Sequence, residues 1–231
     1  MRRFFEALQV QRRRRAEVHI FMRLARVQEG YGEALSAQVA PMSSCKAGCS
    51  ACCQQLVKTT LPNAVALLAQ AQRNGILSEV MRAVEKQVQD FGTVPEDRLP
   101  EAWWNWDARC PLLTRGGRCG GYQVRPIPCM GYWVTSPPER CEKRYLGAQQ
   151  VQYIDVYAWF EDLLSYLRAL VNPRRLDLMN SYAPMPFALH FAHLWLTVHP
   201  RQWEKIEASE LYQRHGFKPT RARQGGTHEE G

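Results

Sequence analysis

Four cysteines within nine residues, Cys45, Cys49, Cys52 and Cys53, restrict what this chain can become more than any other feature. A core uses free cysteine singly, as a small hydrophobe. The C-x3-C-x2-C-C spacing instead lets a turn present several sulfurs to one ion at about 2.3 Å. Gly48 and Ala51 are small enough for the backbone to wrap closely there. Cys110, Cys119, Cys129 and Cys141 bring the total to eight, so the expected chemistry is metal binding through thiolate sulfur.

The compartment decides how such thiols are read. The chain begins Met1-Arg2-Arg3, its first apolar stretch is broken by Glu6 and Gln9, and Arg12 to Arg15 follow, so no secretory core segment fits. Elsewhere no apolar run reaches the roughly 20 residues of a membrane span. The expectation is a cytoplasmic protein, whose reducing surroundings leave clustered thiols free for metal.

Zinc and iron both suit the set. A four-thiolate zinc site and an oxidised cysteine-bound four-iron cluster each carry a charge of about −2. Lys46, Arg109, Arg115, Arg118, Arg125, Arg140, Lys143 and Arg144 flank the cysteines and can offset it. Because neighbours in sequence tend to point apart, Cys45, Cys49 and Cys52 are expected at one centre. Cys53 is then expected either at a second, with cysteines of the 110–141 segment, or as a bridge between the two halves of the chain. The same Cys45, Cys49, Cys52 spacing is used by radical SAM enzymes, but their βα-barrel context is missing, since both flanks carry helical patterns.

Apolar periodicity predicts a helix over 3–28 with Val18, Phe21, Met22 and Ala25 on one stripe, stopped by Gly30 and Gly32, and a short helix or turn over 33–44. Leu61-Pro62 opens a helix that Asn74-Gly75 closes, and 77–91 forms another with Val80, Met81, Val84 and Val88 inward. From Trp103 to Tyr145 no period persists, and bound metal can supply the restraint that such a stretch needs. A helix over 148–171 carries so wide an apolar surface that deep burial is expected, and a shorter one runs over 186–197. The tail from Pro219 is expected to fray.

The resulting expectation is a mainly α protein, with helices packed around an irregular cysteine-rich metal-binding layer. Its divisions are a basic helical extension (1–44), the cysteine region with inserted helices (45–147), packing helices (148–200) and a polar, partly disordered tail (201–231). The formal charge is +8. Residues 1 to 26 hold eight arginines against Glu6 and Glu17. Four consecutive arginines point around most of a helix, which reads as a solvated collar; the competing reading is an acidic partner.

The opening Cys45-x3-Cys49-x2-Cys52-Cys53, the Cys110-Pro111-Leu112-Leu113 segment, Gly117-Arg118-Cys119, the run Tyr122-Gln123-Val124-Arg125-Pro126-Ile127-Pro128-Cys129 and the closing Cys141 together resemble the YkgJ-type cysteine-cluster family. The resemblance covers about residues 45 to 145 and fills all eight cysteine positions. It implies chelation of zinc or iron, with a 4Fe-4S cluster among the forms iron can take. Met130 departs from the basic residue that several members carry after the seventh cysteine. A relative of the domain occurs in flagellin lysine methylases, so an iron–sulfur enzyme and a zinc-stabilised interaction module are the rival functions.

Other residues bear on the site. Arg125-Pro126 precedes Cys129 by a turn, and the resemblance favours a supporting role in which arginine bonds sulfur or loop carbonyls. Trp103, Trp104 and Trp106 read as packing residues before Cys110, and His190 and His193 as satisfied core histidines. No phosphate loop, Ser-His-Asp set or paired-carboxylate motif is present.

Overall fold

A computed structural model of the protein describes residues 2–46, 48–141, 151–170 and 176–219, with side chains from residue 14 onward. Its first helix, α1 (Arg2–Val39), is continuous. Gly30 and Gly32 do not end it, and residues 33–39 continue it instead of forming a separate turn. Glycine inside a helix costs about 1 kcal/mol against alanine, but a Cβ on Gly32 would stand 2.9 Å from the Met130 sulfur. Close packing across the helix therefore explains the residue.

Next come β1 (Lys58–Thr60), α2 (Leu61–Arg73) and α3 (Leu77–Phe91). The Thr60 side chain caps α2 by accepting from the Asn63 amide, and Gly75 at φ +70° follows its end. Val80, Met81 and Val84 of α3 are buried, as their period predicts. These faces pack on α8 (Met185–Thr197), whose Ala188, Leu189 and Ala192 share one core with Leu67, Leu68 and Val84. Phe21 and Ala25 bring α1 into that core.

Between α3 and α8 lie α4 (Leu99–Asn105), the single-turn α5 (Ile127–Met130), α6 (Tyr157–Ala169) and α7 (Leu176–Asn180). The expected deep burial of 148–171 is not found. α6 starts only at Tyr157, and only Leu163 and Leu167 are buried, against Leu24 and Met130. Tyr157 and Tyr166 are exposed. Residues 151–156 are not helical, and Tyr153 bridges antiparallel to Val134. The part of the predicted helix over 148–150 lies outside the described residues.

A small antiparallel sheet was not foreseen. Its middle strand β2 (Ser181–Pro184) pairs Thr59 with Ala183 on one side and Lys218 with Tyr182 on the other, in the order β1-β2-β3, where β3 is Lys218–Pro219. Glu96 accepts from Lys58 Nζ at 2.9 Å and Lys218 Nζ at 2.6 Å, tying both edges together.

Residues expected as the start of a polar tail are folded. α9 (Pro200–Glu207) carries a capping box at His199 and Gln202, and α10 (Glu210–His215) is capped by Ser209. Trp203 and Phe217 pack on the core, and His215 is fully buried, its ring stacked on Phe187 with centroids 4.0 Å apart. The predicted fraying beyond Pro219 lies outside the described residues. Arg14 also leaves the solvated collar: Nη1 donates to the Val198 carbonyl, and the guanidinium lies 5.5 Å from the Trp195 ring.

Burial, then the nearby Arg214 charge, pushes His215 below its ordinary value of 6.5. The folded ring stays neutral while an unfolded chain takes up a proton below about pH 6.5, so stability falls on acidification through that range. Replacing His215→Phe keeps the stacked ring and should flatten the loss of stability between about pH 7 and 5, with His190 leaving a smaller slope of the same sign. Denaturant titrations at both pH values check this; an unchanged slope contradicts it.

Candidate metal centre

Helices α1 to α3 hold the irregular segment by reaching into its backbone. Gln28 Nε2 donates to the Arg125 carbonyl at 2.6 Å, Asn63 Nδ2 to Val124 at 2.9 Å, Asn74 Nδ2 to Gly120 at 3.0 Å and Gln87 Nε2 to Arg109 at 2.7 Å. Carbonyls that no helix or sheet satisfies thus find donors, as the buried ones of Val124 and Arg125 must. Gly121 allows the approach, since a Cβ there would lie 2.4 Å from Leu67 Cδ2.

The two cysteine segments are laced together along their backbones. Cys110 N donates to Cys53 O at 2.7 Å, and Ser44 N to Val134 O at 2.8 Å. Leu113 bridges Cys119 in a short hairpin, so Cys110 and Cys119 return to one place. Cys129 N donates to Pro126 O at 2.9 Å across the turn of α5. Cys141 ends a 3-10 turn, Pro138–Cys141, that packs on the turn Ala51–Gln54 carrying Cys52 and Cys53. Cys45 Sγ lies 3.9 Å from the Tyr132 carbonyl, its acceptor.

Electrostatic influence sorts the thiols into two neighbourhoods. Cys141, pushed up to about 11 chiefly by burial, also feels Cys45, Cys49 and Cys52. Cys45 is raised by burial and then by Cys49 and Cys52, with its hydrogen bonds opposing. Cys110, pushed up to about 12 by burial, feels Cys119 and Cys52. Cys129 is raised by burial and by Cys110, Cys52 and Cys119. Cys53 is raised first by the Cys52 thiol, then by burial, and feels Cys110 and Cys119 as well. Cys52 stands between the groups and is the acidic thiol, lowered to about 7 by the neighbouring Cys53 thiol.

The side chains of Cys52 and Cys53 therefore interact instead of diverging, because the tight 3-10 turn keeps them adjacent. Cys141 neighbours Cys45, Cys49 and Cys52, whereas Cys110, Cys119 and Cys129 neighbour one another and Cys52, with Cys110 and Cys119 also near Cys53.

The chemistry of these donors fits zinc or iron: eight sulfurs, most of them half-buried, with a buried cation near three of them. As placed, no three Cys, His, Asp or Glu side chains among the described residues form a group that could hold an ion. The sulfurs are neighbours without being a closed ligand shell, and loading would draw them together by side-chain rotation.

The cation is Arg125, whose charge lowers Cys52, Cys119 and Cys129. It is nine-tenths buried, 3.9 Å above the Tyr122 ring, and donates to Ser36 Oγ at 3.3 Å. Pro126 contributes its carbonyl, which accepts from both Cys129 N and Met130 N. Trp103 packs on Phe91 away from the thiols, yet its indole N–H donates to the Gln54 carbonyl at 2.9 Å and so anchors the first cluster. Trp106 is exposed, and His190 and His193 sit half-buried on α8, outside the cysteine region. Gln28, Asn63, Asn74 and Tyr132 were missed at the sequence level. An amide on an otherwise apolar helix face, as at Asn63, was the available signal.

Asn63 Nδ2 serves Val124 while its Oδ1 accepts from Thr59 Oγ1 at 2.7 Å. Asn63→Leu would strand both partners in the interior and should cost about 1–3 kcal/mol for each group left unsatisfied. An exposed change on α1, Arg15→Ala, should stay within about 0.5 kcal/mol. Equal unfolding midpoints for the two variants would contradict the tethering role.

Residues 44–151 match the model of the CxxCxxCC family, described as "Putative zinc- or iron-chelating domain". No curated protein and no solved structure matches the chain. The matched span begins one residue before Cys45 and encloses all eight cysteines, the hairpin and Arg125. The cysteine region of this chain, residues 44–151, is similar to the domains that this family model describes.

Proposed function

We propose that this domain binds zinc or iron at two adjoining thiolate sets, and that the metal fastens the irregular layer between the helices. Cys45, Cys49, Cys52 and Cys141 form one set, and Cys53, Cys110, Cys119 and Cys129 the other. The observation that supports the reading is the folding of both cysteine segments onto one another, with Cys110 N donating to Cys53 O at 2.7 Å and the Pro138–Cys141 turn packed on the Ala51–Gln54 turn, so that Cys52 adjoins thiols of both segments. Metal bound by four thiolates would be coordinatively closed, which suits a structural clasp for zinc; iron would add electron transfer. Arg125 would offset part of the charge that deprotonated sulfurs bring. A reducing compartment, the cytoplasm, suits such a set, and no described helix is long and apolar enough to cross a membrane.

A second reading, an iron–sulfur enzyme, is favoured by one observation: Arg125, whose charge reaches Cys52, Cys119 and Cys129, also lines a cavity of about 240 Å³.

Protein purified without oxygen is expected to hold zinc or iron tightly. Cys53→Ser and Cys141→Ser should each lower metal content by about half, and the double variant should empty the protein. A visible absorption bleached by dithionite selects iron. Full metal retention in both single variants, with unchanged thermal stability, overturns the two-set arrangement.

A further inference from the structure

Arg125 carries more hydrogen-bonding capacity than its surroundings use. A guanidinium has five N–H donors in a fixed fork. Among the described residues Arg125 makes one side-chain hydrogen bond, to Ser36, although only 9% of its surface is exposed. Tyr122 covers one face of the guanidinium at 3.9 Å, and Trp133 lies 5.8 Å away. The side chain lines the cavity of about 240 Å³ between α1 and the Tyr122–Met130 segment.

Glu33 of α1 lines the same cavity. Among the described residues it forms no ion pair, with Arg125 or with any other cation. Opposite charges on one small cavity that do not meet leave a gap with a positive and a negative wall. Met130 supplies an apolar floor, packed closely against Gly32, where a Cβ would stand 2.9 Å from the Met130 sulfur. Gln123 adds an amide at the rim.

We propose that this cavity binds a small zwitterion of the amino-acid class, with its carboxylate on Arg125 and its ammonium group toward Glu33. A simple anion would meet the Glu33 carboxylate, and a simple cation would meet the buried guanidinium; a molecule carrying both charges satisfies both walls. Arginine's planar fork matches a carboxylate in two-point fashion. The volume lies below the roughly 300–1,000 Å³ of pockets for drug-sized ligands, which suits a molecule of amino-acid size whose apolar side chain lies along Tyr122 and Met130. The inference goes beyond the metal reading and does not require it, because α1 and the Tyr122 turn form the cavity.

Calorimetry on the protein as purified, with its metal content recorded, tests it with three probes. L-leucine carries both charges, isocaproate lacks the amine and isoamylamine lacks the carboxylate. L-leucine should bind saturably at about millimolar affinity or better, and each analogue at least tenfold more weakly, about 1.4 kcal/mol. Arg125→Lys should lose at least that factor for L-leucine, because lysine is a point charge without the fork. Glu33→Gln, on the exposed side of α1, should leave fold and metal content intact while erasing the preference for L-leucine over isocaproate. This variant decides the matter if Arg125→Lys does not fold. Absence of saturable binding up to about 20 mM L-leucine, or an unchanged preference in Glu33→Gln, overturns the proposal.

Discussion

Amide side chains that reach from helices to loop carbonyls are the constraint on which the cysteine layer depends. The segment after α4 has a short hairpin, one turn of helix and isolated bridges, so most of its backbone cannot satisfy itself. Gln28, Asn63, Asn74 and Gln87 supply donors from three helices at 2.6 to 3.0 Å. An unpartnered buried carbonyl costs about 1–3 kcal/mol, a large share of a domain's net stability. These bonds place Cys110, Cys119 and Cys129 beside the first cluster before any metal enters the argument.

The same arrangement explains the position of Arg125. Its carbonyl is fixed by Gln28 and its guanidinium is clamped on Tyr122, so a cation is kept within reach of Cys52, Cys119 and Cys129. Burying a charge is costly unless it has partners. The Ser36 hydroxyl and the face of the Tyr122 ring provide them. Cys52 and Cys53 sit where the two cysteine groups meet, because a 3-10 turn keeps their thiols together while the backbone of Cys53 binds Cys110.

Much of the helical frame was legible in the sequence. α2, α3 and α8 follow from apolar periods bounded by Leu61-Pro62, Asn74-Gly75 and Pro186, and each is where the pattern puts it. α1 continues through Gly32 because tertiary packing against Met130 outweighs a weak local preference. The aromatic residues of α6 suggest deep burial, but only Leu163 and Leu167 are fully buried, with Trp159 and Phe160 packed on the core while partly exposed. The strands are two to four residues long and rich in Lys, Thr and Ser, too short for alternation to register. α9 and α10 hid in a polar stretch whose caps, His199 and Ser209, were the readable sign. The eight cysteines were legible as a set. Their partition was not, because assigning Cys141 to Cys45 and Cys49 depends on how the chain folds back.

The central claim is that thiolate sulfur, and not nitrogen or oxygen, binds the metal of this domain. X-ray absorption at the metal edge of anaerobically purified protein measures this directly. The account predicts a first shell of four sulfurs at about 2.3 Å. A shell dominated by light atoms at about 2.0–2.1 Å, with fewer than three sulfurs, would contradict it.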